Sequence, residues 1–217
     1  MLHNAVPDCP VCESGTTAAF MTIGERDYWR CHQCEATFLE PSQRPEPAAE
    51  KAEYDQHDND ERDPGYRRFL ARLADELMPR LTRGDRVLDF GCGPGPALVT
   101  MLREAGFAAD GYDPFYAPDE ALLGRSYQAI TCTEVVEHLH DPAATFRLLD
   151  RLLLPGGWLG VMTCFQTDDD RFAGWHYRRD PTHVVFYREA TLHRVAARFG
   201  WHCEVPRKDV ALMRKPV

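Results

Sequence analysis

The segment Val87-Leu88-Asp89-Phe90-Gly91-Cys92-Gly93-Pro94-Gly95 constrains this chain more than any other. A short apolar run over 86–90 reads as a buried strand. A helical pattern follows, with Leu98, Met101, Leu102 and Ala105 at i, i+3, i+4 and i+7. The three glycines stand where the period changes. Glycine there lets the backbone turn tightly and lets a ligand approach the main chain. The helix beyond offers unpaired N–H groups and the positive end of its dipole to a carboxylate or phosphate. Strand, glycine turn and helix in this order predict an α/β unit with a nucleotide-like ligand.

Spacing narrows the ligand. A dinucleotide turn reads G-x-G-x-x-G/A. Here the run is Gly91-Cys92-Gly93-Pro94-Gly95-Pro96-Ala97, with Asp89 two residues before the first glycine. A carboxylate inside the turn is poorly placed for a pyrophosphate. It suits a ligand that carries an ammonium or sulfonium group.

Helical and strand patterns alternate from about residue 65. A helix is predicted over 66–81, with Phe69, Leu70, Leu73 and Leu77 on one face, and a second over 96–105, with Pro96 in its first turn and Gly106 at its stop. Strands are predicted over 86–90, 107–112, 128–133 and 158–164. A helix opened by Asp141-Pro142 faces Phe146, Leu149 and Leu153 inward, and another over 189–199 is closed by Gly200. Strands over 201–205 and 209–213 are joined by Pro206-Arg207-Lys208, too short a link for a parallel crossover. The fold class is therefore α/β: a Rossmann-like, doubly wound, mostly parallel sheet over 65–217, with a C-terminal antiparallel hairpin at or near its edge. Residues 41–64, rich in Pro, Ala, Glu and Asp, read as a linker or partly ordered arm.

The first 40 residues carry different chemistry. Cys9-Pro-Val-Cys12 and Cys31-His-Gln-Cys34 are separated by 18 residues, the spacing of a tetrahedral zinc site. Four thiolates saturate the ion, so Cys9, Cys12, Cys31 and Cys34 predict a closed, structural zinc ribbon. The alternatives are redox-active Cys pairs, a ribbon that has lost its metal, or His32 in place of one cysteine. The remaining cysteines, Cys92, Cys132, Cys164 and Cys203, read as small buried hydrophobes.

With these residues in view, the chain resembles the class I S-adenosylmethionine-dependent methyltransferases. The run from Val87 to Gly95 is similar to that family's first motif. Asp113, in Asp110-Gly111-Tyr112-Asp113-Pro114, matches the acidic residue with which the family takes the ribose hydroxyls. Thr133-Glu134-Val135-Val136-Glu137-His138 resembles its fourth-strand motif, and Leu154-Pro155-Gly156-Gly157-Trp158 the approach to its fifth strand. The resemblance implies S-adenosylmethionine as cofactor and Asp89, Gly91, Gly93, Gly95, Asp113, Glu134 and Tyr66 as its contacts. Residues 115–127 leave little room for the family's third strand. Asp119 and Glu120 are candidate adenine partners there, beside the reading of a solvated loop. A ribbon before this domain also resembles a known arrangement in the family. In such chains the arm, here Tyr54, His57, Asn59 and Tyr66, can fold over the cofactor.

The acceptor is expected in the stretch 165–187, after the fifth strand, where aromatics could wall a pocket. Because the sulfonium is already activated, the enzyme mainly aligns the acceptor and removes a proton when needed. His183 is the first candidate base, with Asp180 orienting it, and His138 is the second. Each has a plainer reading as a hydrogen-bonded structural histidine. The net charge of −9 and the acidic excess over 1–40 argue against a nucleic-acid partner. A small-molecule methyl acceptor is the leading expectation. An RNA methyltransferase gripping its substrate through the ribbon, a cofactor-binding adaptor without turnover and, more distantly, a dehydrogenase are the rivals. No apolar run reaches the roughly 20 residues of a membrane helix, and no secretory pattern opens the chain. A cytoplasmic location is the default expectation.

Overall fold

The protein is described from a computed structural model over residues 6–56 and 60–217. His57 and Asn59 lie outside the described residues.

Two sheets organise the chain. The larger is built from β4 (Arg86–Phe90), β5 (Ala108–Tyr112), β6 (Tyr127–Thr133), β7 (Leu153–Met162), β9 (His202–Arg207) and β10 (Val210–Arg214). Its order is β5-β4-β6-β7-β10-β9. The pairs among β5, β4, β6 and β7 are parallel, and β10 pairs antiparallel with both β7 and β9. The closing hairpin thus occupies one edge, as its short link requires. At the other edge β5 stands last. Residues 115–126 hold a short 3-10 turn, Glu120–Gly124, in place of a further strand.

Helices cover both faces. α2 (Pro64–Leu77) starts at Asp63, whose carboxylate accepts from the N–H groups of Gly65 and Tyr66 at 3.0 and 2.9 Å, with Pro64 in its first turn. It buries Leu70, Leu73, Ala74 and Leu77 against β7 and β10, and α3 (Ala97–Glu104) packs beside it. α4 (Pro142–Leu152) is capped by Asp141 and runs without a loop into β7. α5 (Glu189–Arg198) ends before Gly200, at φ +69°. The strand expected over 158–164 is longer at its start, because the Pro155-Gly156-Gly157 segment is itself extended.

The smaller sheet has the order β1-β2-β3-β8 and is antiparallel throughout. β1 (Thr17–Ile23), β2 (Arg26–Cys31) and β3 (Thr37–Leu39) come from the cysteine-bearing segment. β8 (Val185–Phe186) comes from the stretch after β7, so the two parts of the chain share a sheet. Tyr28, Phe172 and Phe186 pack edge-to-face across this junction, with ring centroids 5.0 to 6.1 Å apart. Thr37 donates to Gln166 Oε1 at 2.7 Å, and Arg30 and Arg188 both pair with Asp169. The segment expected to be a linker or partly ordered arm contains α1 (Pro47–Tyr54), which buries Glu50. Its Ala, Glu and Lys are strong helix formers. Eight residues are too few to show an apolar stripe.

Candidate active site

A cavity of about 700 Å³ opens at the C-terminal ends of β4, β5 and β6, where open α/β sheets hold ligands. The turn after β4 forms its floor. Gly91 and Gly93 have φ of +80° and +63°, and the N–H groups of Gly91 and Cys92 both donate to Tyr112 O, at 2.7 and 3.2 Å. A Cβ on Gly91 would collide with Val135 Cγ2. Glycine is required there twice over, for conformation and for space.

Asp113 stands at the end of β5 and lines the cavity. Its Oδ2 accepts from Gly93 N–H at 3.1 Å, and its Oδ1 accepts from Phe115 and Tyr116 N–H at 2.8 and 3.1 Å. Three backbone donors hold the carboxylate against the glycine turn. Two carboxylate oxygens offer about four acceptor sites, so one is left, on Oδ2, for a ribose hydroxyl.

Asp89 and Gly95, expected as direct contacts, do not line the cavity. Asp89 is 4 % exposed beneath the turn, and its Oδ1 accepts from Thr131 Oγ1 at 2.7 Å across the β4–β6 ladder. Its charge acts from one layer behind. Gly95 accepts the Ala97 N–H at 2.7 Å and shapes the start of α3 instead. Burial pushes Asp89 up to about 6, against the Thr131 hydrogen bond and with help from the Asp113 charge. A raised carboxylate destabilises the fold once ionised. The folded state keeps a proton that the unfolded chain releases between about pH 4 and 6, so stability falls as pH rises through that window. Asp89→Asn is therefore expected to stabilise the ligand-free protein at pH 8 by up to about 3 kcal/mol while weakening a cationic ligand. Thermal melts at pH 4.5 and 8 check this; an equal gain at both would refute the assignment.

Glu134 follows β6 in the left-handed region, at φ +52°, and its N–H donates to Met162 O at 2.8 Å. Strain of this kind in a non-glycine residue persists only where neighbours impose it. The Tyr177 hydroxyl lies 3.1 Å from Glu134 Oε2, 2.6 Å from Glu137 Oε1 and 3.0 Å from Thr163 Oγ1. Burial, with the Glu137 charge beside it, pushes Glu134 up to about 8, and burial pushes Glu137 up to about 7. Thr133 Oγ1, also in the cavity wall, has no hydrogen-bond partner among the described residues.

His138, Asp180 and His183 meet at the far wall, with the two imidazole rings 4.6 Å apart. His183 Nδ1 lies 2.7 Å from Tyr177 O, and His138 Nδ1 lies 3.2 Å from Thr182 O. A carbonyl only accepts, so both Nδ1 atoms carry hydrogen. The orienting role expected of Asp180 thus falls to the Tyr177 carbonyl. Asp180 Oδ2 is 3.8 Å from His183 Nε2 instead, and its Oδ1 accepts from the N–H and hydroxyl of Thr182 at 2.8 and 2.6 Å. Burial would raise Asp180, but these hydrogen bonds hold it below the usual carboxylate range.

The arm closes the near side. The Tyr54 ring lies 5.1 Å from that of His138, Glu50 Oε1 lies 2.8 Å from His140 Nε2, and Tyr116 donates to Asp55 at 2.6 Å. Tyr66, from α2, completes the wall. Asp119 and Glu120, the adenine candidates, do not line the cavity; Asp119 caps the 3-10 turn by accepting from Ala121 N–H at 3.0 Å. The sequence reading missed Glu50, His140 and Tyr116. Only Tyr116 had a signal, its place three residues beyond Asp113.

The sulfurs of Cys9, Cys12, Cys31 and Cys34 lie within 4.8 Å of one another, with Cys9–Cys34 at 3.6 Å and Cys12–Cys31 at 3.5 Å. Zinc–sulfur bonds of about 2.3 Å in a tetrahedron set sulfurs roughly 3.8 Å apart, so the donor set fits the ion. Glu13 and Glu35, at φ of +60° and +63°, close two matching knuckles. His32 is exposed and outside the cluster.

A family described as "Methyltransferase domain" matches residues 61–204. The chain is 34 % identical over 114 residues to a protein named ubiquinone biosynthesis O-methyltransferase from Paracidovorax citrulli, covering 41 % of this chain and 47 % of the relative. It is 33 % identical over 107 residues to the one so named from Xanthomonas oryzae, covering 39 % and 45 %. The chain spans about half the length of these curated relatives. Among solved structures, a SAM-dependent methyltransferase from Archaeoglobus fulgidus superposes with TM-score 0.52 at 20 % identity, covering 69 % of this chain and 94 % of that one. Magnesium protoporphyrin IX methyltransferase from Synechocystis, with bound SAH, gives TM-score 0.52 at 17 % identity, covering 70 % and 84 %. At these identities the structures show the shared fold.

Proposed function

This chain belongs to the methyltransferase-domain family, and from that premise we propose that it transfers a methyl group from S-adenosylmethionine to a small-molecule acceptor held in the cavity above β4 and β6. The carrying observation is Asp113. Three backbone N–H groups fix its carboxylate beside the positive-φ glycine turn, with one acceptor site left for a ribose hydroxyl. Gly91 and Gly93 let the cofactor reach the main chain, and Glu134 offers a carboxylate to its ammonium group. Asp89 adds negative potential from behind.

The acceptor then occupies the end walled by Tyr54, His138, Asp180 and His183. Its nucleophilic atom must lie in line with the sulfur–methyl bond, and the histidine pair orients it and assists loss of its proton. The curated relatives are named O-methyltransferases, which makes an oxygen acceptor the first to test. The four cysteines hold zinc, which fixes the ribbon against β8 and the loop that carries His183. No helix among the described residues is long and apolar enough to cross a membrane.

Calorimetry with S-adenosylhomocysteine tests the cofactor. Incubation with labelled S-adenosylmethionine and fractionated cell extract, followed by mass identification of the labelled species, tests the acceptor. Label recovered only in RNA, or no binding at all, would overturn the proposal. His183→Ala is expected to lower kcat by roughly 10²–10⁴. S-adenosylhomocysteine affinity should stay within a few-fold, and an unchanged kcat would return His183 to a packing role.

A further inference from the structure

Tyr177 is buried behind the cavity wall, at the start of the 3-10 turn Tyr177–Arg179. Its hydroxyl stands between two acids, 3.1 Å from Glu134 Oε2 and 2.6 Å from Glu137 Oε1, with Thr163 Oγ1 at 3.0 Å. Among the described residues no arginine or lysine makes an ion pair with either acid. Arg72, whose charge reaches Glu134, is paired with Asp209. Two like charges at this depth repel and are poorly solvated, so burial favours one proton shared between them. The phenol keeps its own proton, because burial and the two acids push it well above its usual range. The left-handed backbone of Glu134 needs neighbours that hold it, and the Tyr177 hydroxyl is one of them.

We propose that the Tyr177 hydroxyl is the positioning group of the cofactor's ammonium site: it holds Glu134 in place and transfers the buried negative charge to it from Glu137. The inference rests on the methyl-transfer reading above, in which Glu134 meets that ammonium group. A phenol has one proton to give and can accept another hydrogen at its oxygen. Without a cationic partner, Glu134, the acid that burial pushes higher, keeps its proton and donates to the Tyr177 oxygen, while Tyr177 donates to Glu137. With an ammonium group at Glu134, both bonds reverse. The Glu134 proton passes to the Tyr177 oxygen as the Tyr177 proton passes to Glu137. The number of hydrogen bonds is kept, the charge now faces the ligand, and no proton is exchanged with water.

The backbone of the same residue serves the acceptor end. Tyr177 O accepts from His183 Nδ1 at 2.7 Å, and the phenol ring packs 4.1 Å from the imidazole. Tyr177→Phe removes the hydroxyl and leaves both the carbonyl and the ring, so the two contributions can be separated.

Calorimetry on the full chain compares S-adenosylhomocysteine with 5′-methylthioadenosine, which keeps the adenosine and the thioether but lacks the ammonium group. In Tyr177→Phe the affinity for S-adenosylhomocysteine is expected to fall about 10–10²-fold, the loss of one hydrogen bond to a charged group. Affinity for methylthioadenosine should stay within twofold, and kcat at saturating S-adenosylmethionine within a few-fold while its KM rises. An unchanged S-adenosylhomocysteine affinity would overturn the inference. So would an equal loss for both ligands, which is what a packing role gives. In the wild type at about pH 7, the enthalpy of S-adenosylhomocysteine binding should be the same in phosphate and in Tris, whose ionisation enthalpies differ. Release of close to one proton would overturn the internal transfer, and this measurement decides the matter if Tyr177→Phe does not fold. Wild-type protein that bound neither ligand would remove the methyl-transfer reading and this inference with it; wild-type binding beside an unaffected variant would remove the inference alone.

Discussion

Asp113→Ala is expected to raise the dissociation constant for S-adenosylhomocysteine by roughly 10–10². One hydrogen bond from a ribose hydroxyl to the acceptor site left on the carboxylate is worth about 1.5–3 kcal/mol, and each 1.4 kcal/mol is tenfold in affinity. The same substitution strands the N–H groups of Gly93, Phe115 and Tyr116, so a fall in melting temperature should accompany it. Asp113→Asn separates the two effects. Its amide oxygen still accepts from Phe115 and Tyr116, so the fold should suffer less while the charge is lost. Gly91→Ala should abolish binding as well, because a Cβ there meets Val135 and the backbone must leave φ +80°. Calorimetry that found Asp113→Ala binding normally would remove the ribose assignment.

Removing the zinc proposed for the cysteine cluster is expected to collapse both the ribbon and the cavity wall that carries His183. Structural zinc sites contribute on the order of 10 kcal/mol to the folding of their modules, which exceeds the stability many domains possess. Here the loss would spread. β3 pairs with β8, Leu39 donates to Val184 O, and Tyr28 packs on Phe172 and Phe186. Val184 directly follows His183, so the wall carrying that histidine loosens with the ribbon. Chelation at neutral pH, or Cys9→Ser, should lower the melting temperature by more than 10 °C, given about 2–4 °C per kcal/mol for a chain this size. Methyl transfer should be lost while some S-adenosylhomocysteine binding persists, since the glycine turn lies in the other sheet. Metal analysis showing no zinc in the fresh protein, with an unaltered melt in Cys9→Ser, would refute a metal-held ribbon.

The two sites differed in how far they could be read in advance. The glycine turn and the cysteine knuckles are local. Their residues lie within a few positions of one another, and chemistry at that spacing leaves few alternatives. The closing hairpin was equally plain, since a three-residue link cannot cross a sheet. The facing of Asp89 is not legible in the sequence, because a strand residue one step before a turn can face the ladder rather than the cavity, and Thr131 meets it from a different strand. Asp180 was given a role that the Tyr177 carbonyl fills, because a backbone acceptor leaves no mark in a sequence. α1 lies in a segment that reads as a linker or partly ordered arm, since its buried face is one residue, Glu50, and one residue sets no period.

From the sequence by itself came the strands of the larger sheet and the helices α2 to α5, the glycine turn with Asp113 beyond it, and the cysteine quartet, all set by short-range periodicity, turn chemistry and ligand spacing. Tertiary structure alone decided that β8, from the stretch after β7, adds to the ribbon's sheet, that Glu137, His138 and His183 converge, and that β5 is an edge strand of the larger sheet. These depend on which distant segments share a core, and that is settled by the burial of many side chains at once rather than by any local pattern.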